Sequence, residues 1–202
     1  MFPDRKTALQ ELAKAEELNP GPWGQHSRNV AHAAELIAGR CDKMDSDKAF
    51  VCGLLHDIGR KFGVSHMRHV SDGYSYMMSL GYDEAARICL THSFAGRTID
   101  GYVGRLDVND QELAMIKTEL SRADMDEYDD LIQLCDALAG SDGVMDIEAR
   151  MADVRRRYGS YPKAKWDMNM VLKARFEAAM GRDVYEVVDK EGYRPQHAQG
   201  QE

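Results

Sequence analysis

The chain of 202 residues has four cysteines and no Cys-x-x-Cys pair, which argues against a disulfide-stapled secreted scaffold. Cys41, Cys52, Cys89 and Cys135 are scattered through apolar helical patterns and read as reduced packing residues. No apolar run approaches membrane-spanning length, and Met1 to Leu12 alternates charged with apolar residues without a signal-peptide core, so the expected location is cytoplasmic, with no membrane partner. Positive charge is in deficit: 26 Lys and Arg against 34 Asp and Glu leave a net charge of -8. Binders of extended nucleic acid usually carry a basic footprint, so none is expected here, and any bound phosphate must have its charge met locally. Internal repeats, low-complexity tracts and an obvious domain linker are also missing.

What remains is helical almost throughout. Apolar residues recur at three and four spacing over Thr7–Leu18, His26–Ile37, Ser46–Phe62, Gly73–Leu80, Asp83–Phe94, Gln111–Ala123, Glu127–Ala139, Ile147–Tyr158 and Trp166–Met180. Asn19-Pro20-Gly21-Pro22 separates the first two, Asp45 and Ser46 cap the third, and Gly81 and Gly181 follow helix ends. The spacing predicts an all-α bundle. Gly96 to Asp110 breaks the periodicity and reads as a loop beside His92, a candidate lid. The acidic run from Asp124 to Asp130 lacks the spacing of a calcium loop and suits a helix N-terminus. Met77, Met78, Met168, Met170 and Met180 read as packing, and His32 and His197 as exposed.

Helical geometry brings several polar residues onto inward faces. His26 shares its stripe with Val30, Ala33 and Ile37, His56 with Ala49, Cys52 and Gly53, His92 with Ala85, Ile88 and Cys89, and Asp136 with Ile132 and Ala139. Asp57 lies roughly 100° round from His56, so both reach one point where the helix stops near Gly59. Inward imidazoles and carboxylates from separate helices are the donors a divalent metal site needs, and they suit Mn²⁺ or Fe²⁺ first, then Zn²⁺, Mg²⁺ or Ni²⁺.

Three phrases in order, "WGQHSRNVA", "GLLHDIGRKF" and "LCDALAG", resemble those of the HD-domain superfamily of metal-dependent phosphohydrolases over residues 22 to 140. The resemblance implies an HD-type helical bundle in residues 1–140, with residues 141–202 as a C-terminal helical extension packed on it. It also implies His26, His56, Asp57 and Asp136 as ligands of a core metal. His69-Val70-Ser71-Asp72-Gly73 is similar to the His-x-x-x-Gly phrase of dinuclear members, and the helix end at His92 to another of their ligands. If both carry over, Asp57 bridges two ions, with His66 as an alternative to His69.

Departures narrow the activity. Arg60 and Lys61 stand where dinuclear members often have lysine, and where nucleotidase and guanosine-tetraphosphate hydrolase branches would show an acidic residue. The Asp-Gly-x-Gly-Tyr-Pro element of cyclic-dinucleotide phosphodiesterases is missing, and Pro22 stands where those enzymes can offer a third-metal carboxylate. The implied reaction is hydrolysis of a phosphomonoester or phosphodiester in a small, nucleotide-like substrate. Asp57, Arg60 and Lys61 are the candidate catalytic groups, and Arg60, Lys61, Arg68 and Arg97 would meet phosphate charge. A di-iron oxygenase and a non-catalytic nucleotide-binding sensor are the alternatives. The basic, aromatic stretches Arg155–Tyr158 and Lys163–Trp166 could contact a nucleotide or cover the bundle, the structural role being preferred, and accessory helices of this kind commonly close the site or form a homodimer face.

Overall fold

The computed structural model describes residues 1–194; His197 lies outside the described residues. Ten α-helices run through them: α1 (Arg5–Leu18), α2 (Pro22–Ala38), α3 (Ser46–Leu55), α4 (Arg68–Ser79), α5 (Asp83–Thr91), α6 (Asp110–Arg122), α7 (Glu127–Leu138), α8 (Ile147–Tyr158), α9 (Lys163–Met180) and α10 (Val184–Val187). An antiparallel hairpin, β1 (Ala139–Gly140) and β2 (Gly143–Val144), pairs Ala139 with Val144 and Gly140 with Gly143. The all-α expectation holds, and no described helix is long and apolar enough to cross a membrane.

Local chemistry accounts for the helix starts. The Asp4 carboxylate accepts from Thr7 N–H at 2.7 Å to cap α1, Pro22 opens α2, and Asp45 accepts from the N–H groups of Asp47 and Lys48 to cap α3. The acidic run before α7 acts as foreseen: Asp126 and Asp129 form a reciprocal capping box. Asp129 is fully buried, where it also accepts from Thr91 Oγ and pairs with Arg87.

Helices α2 and α3 form the centre, with α7, α8 and α9 on one side and α1, α4 and α5 on the other. Their close crossing depends on small residues. A β-carbon at Gly53 would fall 2.7 Å from the Cα of Ala31, so only glycine admits the α2 backbone at this distance. Phe50, Leu54 and Leu55 then fill the α1 side, each burying apolar area worth about 1.5–3 kcal/mol. A third cluster, around Met67, Leu90, Phe94 and Ile116, joins α4 and α5 to α6.

Several expectations are corrected. The predicted helix over Ser46–Phe62 ends at Leu55. His56 is still right-handed, Asp57 turns to φ -103°, ψ 13°, and Ile58–Phe62 form a 3₁₀ turn. The break has a packing cause, since a β-carbon at Gly59 would lie 2.0 Å from the His69 carbonyl oxygen, so this turn meets the α4 backbone directly. Helix α4 starts at Arg68 rather than Gly73, and the hairpin and α10 were not foreseen. Cys41 sits in the turn after α2, while the other three cysteines are buried and free. Met78 is largely exposed, and His32 is half-buried against Tyr193.

Candidate metal centre

Six residues predicted from sequence converge on one point. His26 comes from α2, His56 and Asp57 from the end of α3, His69 from the first turn of α4, His92 from the end of α5, and Asp136 from the last turn of α7. His26 Nε2 lies 3.1 Å from Asp136 Oδ1, and His56 Nε2 lies 3.9 Å from the same oxygen. On the other side, Asp57 Oδ1 is 3.1 Å from His69 Nε2 and 3.6 Å from His92 Nε2. Donor atoms group into two triads, His26–His56–Asp57 and Asp57–His69–His92, each within 4.8 Å, and either can hold a metal ion. Asp57 belongs to both.

The tautomers follow from backbone contacts. His56 Nδ1 faces the Gly53 carbonyl at 2.7 Å, His92 Nδ1 the Cys89 carbonyl at 2.9 Å, and His69 Nδ1 the His66 carbonyl. A carbonyl only accepts, so each Nδ1 carries the proton and each Nε2 presents a lone pair to the centre. The Nε2 atoms of His69 and His92 face each other at 3.3 Å, two lone pairs with no proton to share. Among the described residues, neither His56 Nε2 nor Asp57 Oδ1 has a hydrogen-bond partner, though both are buried. Orphaned acceptors of this kind are costly in a low-dielectric interior unless a cation satisfies them, so this donor set fits a divalent ion.

Electrostatics point the same way. Burial pushes the His69 and His92 imidazoles down, to about 3 and about 4, and keeps them neutral as ligands must be. His56 is lowered as well, chiefly by burial. Burial alone would raise the Asp57 carboxyl, but the Arg60 guanidinium and the surrounding imidazoles outweigh it and hold Asp57 well below the usual carboxylate range. The Asp136 carboxyl is likewise held down, against burial, by its hydrogen bond with His26 and by the nearby imidazoles.

The predicted phosphate-facing cations are split. Arg60 lines the cavity over the centre, with Nε donating to Asp57 Oδ2 at 2.6 Å and one terminal nitrogen donating to the Ser65 carbonyl at 3.3 Å. Lys61 turns the other way, its Nζ 3.5 Å from the centre of the Tyr76 ring. Arg68 is exposed and donates to the Asp107 carbonyl, and exposed Arg97 lies on the loop after His92; neither lines the cavity. Alternation explains the split at Arg60 and Lys61, because successive residues of a 3₁₀ turn point about 120° apart. His66 is outside the cluster, its Nε2 accepting from Arg105 and its ring against Tyr158.

The cavity above the centre measures about 760 Å³ and takes part of its wall from the loop read as a lid and from the basic, aromatic stretches of the C-terminal helices. Tyr102, from the predicted lid loop, lines it, as do Ser141 in the hairpin and Arg150, Arg157 and Lys165 on α8 and α9. Asn29 fixes the hairpin beside α2 by donating to the carbonyls of Gly140 and Ser141. The C-terminal helices therefore wall the cavity as well as covering the bundle.

With fold and centre in view, comparison with known families gives one match: the model of the HD domain covers residues 23–141. The chain belongs to the HD-domain family, whose members are in general metal-dependent hydrolases. No curated protein and no solved structure matches it.

Proposed function

We propose that the protein is a phosphohydrolase that cleaves a phosphomonoester or phosphodiester bond of a small, nucleotide-like substrate at a centre of up to two divalent ions. The observation that carries this reading is the position of Asp57, shared by two histidine-containing triads with its Oδ1 unpartnered. His26, His56 and Asp136 would hold one ion with Asp57, and His69 and His92 the other. What such ions supply is water activated near neutral pH and polarisation of a phosphoryl oxygen.

The chain's own residues provide orientation and charge. Arg60 fixes the Asp57 carboxylate through Nε and still has an unspent terminal nitrogen, which suits it to a phosphoryl oxygen at the cavity floor. Carbonyl contacts at Nδ1 hold the imidazoles of His56, His69 and His92 in ligand orientation, so little reorganisation is needed on loading. A cavity of about 760 Å³ lies within the ~300–1,000 Å³ typical of small-molecule sites. Trp23, Tyr102 and Tyr158 in its walls offer aromatic surface for a base.

The test is elemental analysis of protein purified without chelator, run with hydrolysis of p-nitrophenyl and bis-p-nitrophenyl phosphate and with His56→Ala and Asp57→Ala as controls. About two metals per chain with hydrolysis lost in both variants supports the reading. Tightly held iron without hydrolysis favours the oxygenase alternative, and protein that takes up no metal under any condition overturns the proposal.

A further inference from the structure

Four basic side chains line the cavity: Arg60, Arg150, Arg157 and Lys165. Three already face carboxylates. Arg60 bonds to Asp57, Arg157 bonds to Asp153 at 2.9 Å, and Arg150 lies 3.9 Å from the same Asp153. Lys165, in the first turn of α9, differs. Among the described residues it makes no ion pair, and its one hydrogen bond is donated to the Ser93 carbonyl at 3.0 Å. An ammonium carries three donors, so two are unspent.

Its position gives those donors a use. Ser93 follows His92, and its hydroxyl lies 3.0 Å from His92 Nε2, so the bond to the Ser93 carbonyl holds the Lys165 ammonium beside the metal centre. Lys165 lines both the main cavity and a smaller one of about 70 Å³ behind it, shared with His92, Asp136 and Arg150. A partly buried ammonium with no ion pair costs desolvation that the Asp136 carboxylate, which lines the smaller cavity with it, offsets only in part. An anion entering the cavity, which Arg60 also lines, would compensate it.

We propose that Lys165, contributed by the C-terminal helices, is a phosphate-binding residue: its ammonium donates to a non-bridging oxygen of the phosphoryl group held at the His–Asp centre. The inference rests on the phosphohydrolase reading for the identity of the anion, and it makes residues 141–180 part of the binding site.

Inorganic phosphate is the probe. Titration calorimetry of the metal-loaded protein is expected to show phosphate binding weakened roughly 10- to 100-fold in Lys165→Met, the range for loss of a charge-assisted hydrogen bond. Metal content should be unchanged and Lys165→Arg should retain part of the affinity. Hydrolysis by Lys165→Met should show a raised KM for aryl phosphate. Lys165→Gln provides the same comparison should the methionine variant fail to fold. Equal phosphate affinity in wild type and variant overturns the inference, as does loss of metal together with phosphate, which would make Lys165 a support for the ligands. Wild-type protein that binds no phosphate overturns it too. Phosphate binding that depends on Lys165 in a protein unable to hydrolyse any phosphoester would uphold the anion site and refute the phosphohydrolase reading alone.

Discussion

Replacing Gly59 by alanine separates the two halves of the centre. The new β-carbon would stand 2.0 Å from the His69 carbonyl oxygen and 2.5 Å from the Gly73 amide nitrogen, both backbone atoms of α4. Neither can swing aside as a side chain would. Relief requires the 3₁₀ turn and α4 to part by roughly an ångström, and overpacking of this kind costs about 1–3 kcal/mol, with rigid backbone placing it at or above the upper end. The displacement falls between Asp57 and His69, whose ligand atoms are 3.1 Å apart. Metal ligation tolerates errors of only about 0.2 Å, so the Asp57–His69–His92 triad should lose its ion while His26, His56, Asp57 and Asp136 keep theirs. Urea denaturation of the chelated protein together with elemental analysis after reloading makes the measurement. Gly81→Ala is the control, because no atom lies within 4 Å of its added carbon, although its φ of 79° still costs some strain. A Gly59→Ala protein within about 0.5 kcal/mol of wild type, holding as much metal, would refute the argument that this contact sets the spacing of the ligands.

Three more outcomes are expected. The metal-free protein should lose stability as pH falls below the ordinary histidine value of ~6.5, because His69 and His92 stay neutral until about 3 and about 4 in the folded state and the unfolded chain takes up protons first. Each contributes about 2 kcal/mol of loss by pH 5, so urea midpoints of chelated protein at pH 8 and pH 5 should differ by about 4 kcal/mol in stability, and equal midpoints would contradict their neutral burial. Asp129→Ala removes one of the two carboxylates on Arg87, which keeps Asp126 at 2.7 Å, together with a buried acceptor of the Thr91 hydroxyl and half of the capping box, and should cost about 1–3 kcal/mol in thermal or chemical unfolding, more than Asp130→Ala, which breaks only the half-exposed pair with Arg175. Arg60→Lys keeps a positive charge but loses the planar fork that spans Asp57 and the Ser65 carbonyl, so kcat for aryl phosphate should fall by roughly tenfold or more while metal content holds.

Sequence alone determined the helical class and most of the centre, because both are written in local periodicities. A histidine four residues from one valine and seven from another alanine must lie on an apolar stripe, whatever the stripe packs against; His26, His92 and Asp136 were legible for that reason. Adjacent His56 and Asp57 could be seen to serve one point, although the end of α3 at Leu55 could not, since that break answers to the α4 backbone pressing on Gly59. Tertiary structure decided what depends on neighbours distant in the chain. It set His69 rather than His66 in the cluster, through the carbonyl that orients one ring and the Arg105 that engages the other. It turned Arg60 inward and Lys61 onto Tyr76, a choice that charge and position in sequence leave open. It also brought Tyr102, Arg150 and Lys165 to the cavity, from a loop and two helices whose composition drew notice but whose placement the sequence left open, because the wall of a pocket is made by packing between segments and has no period of its own.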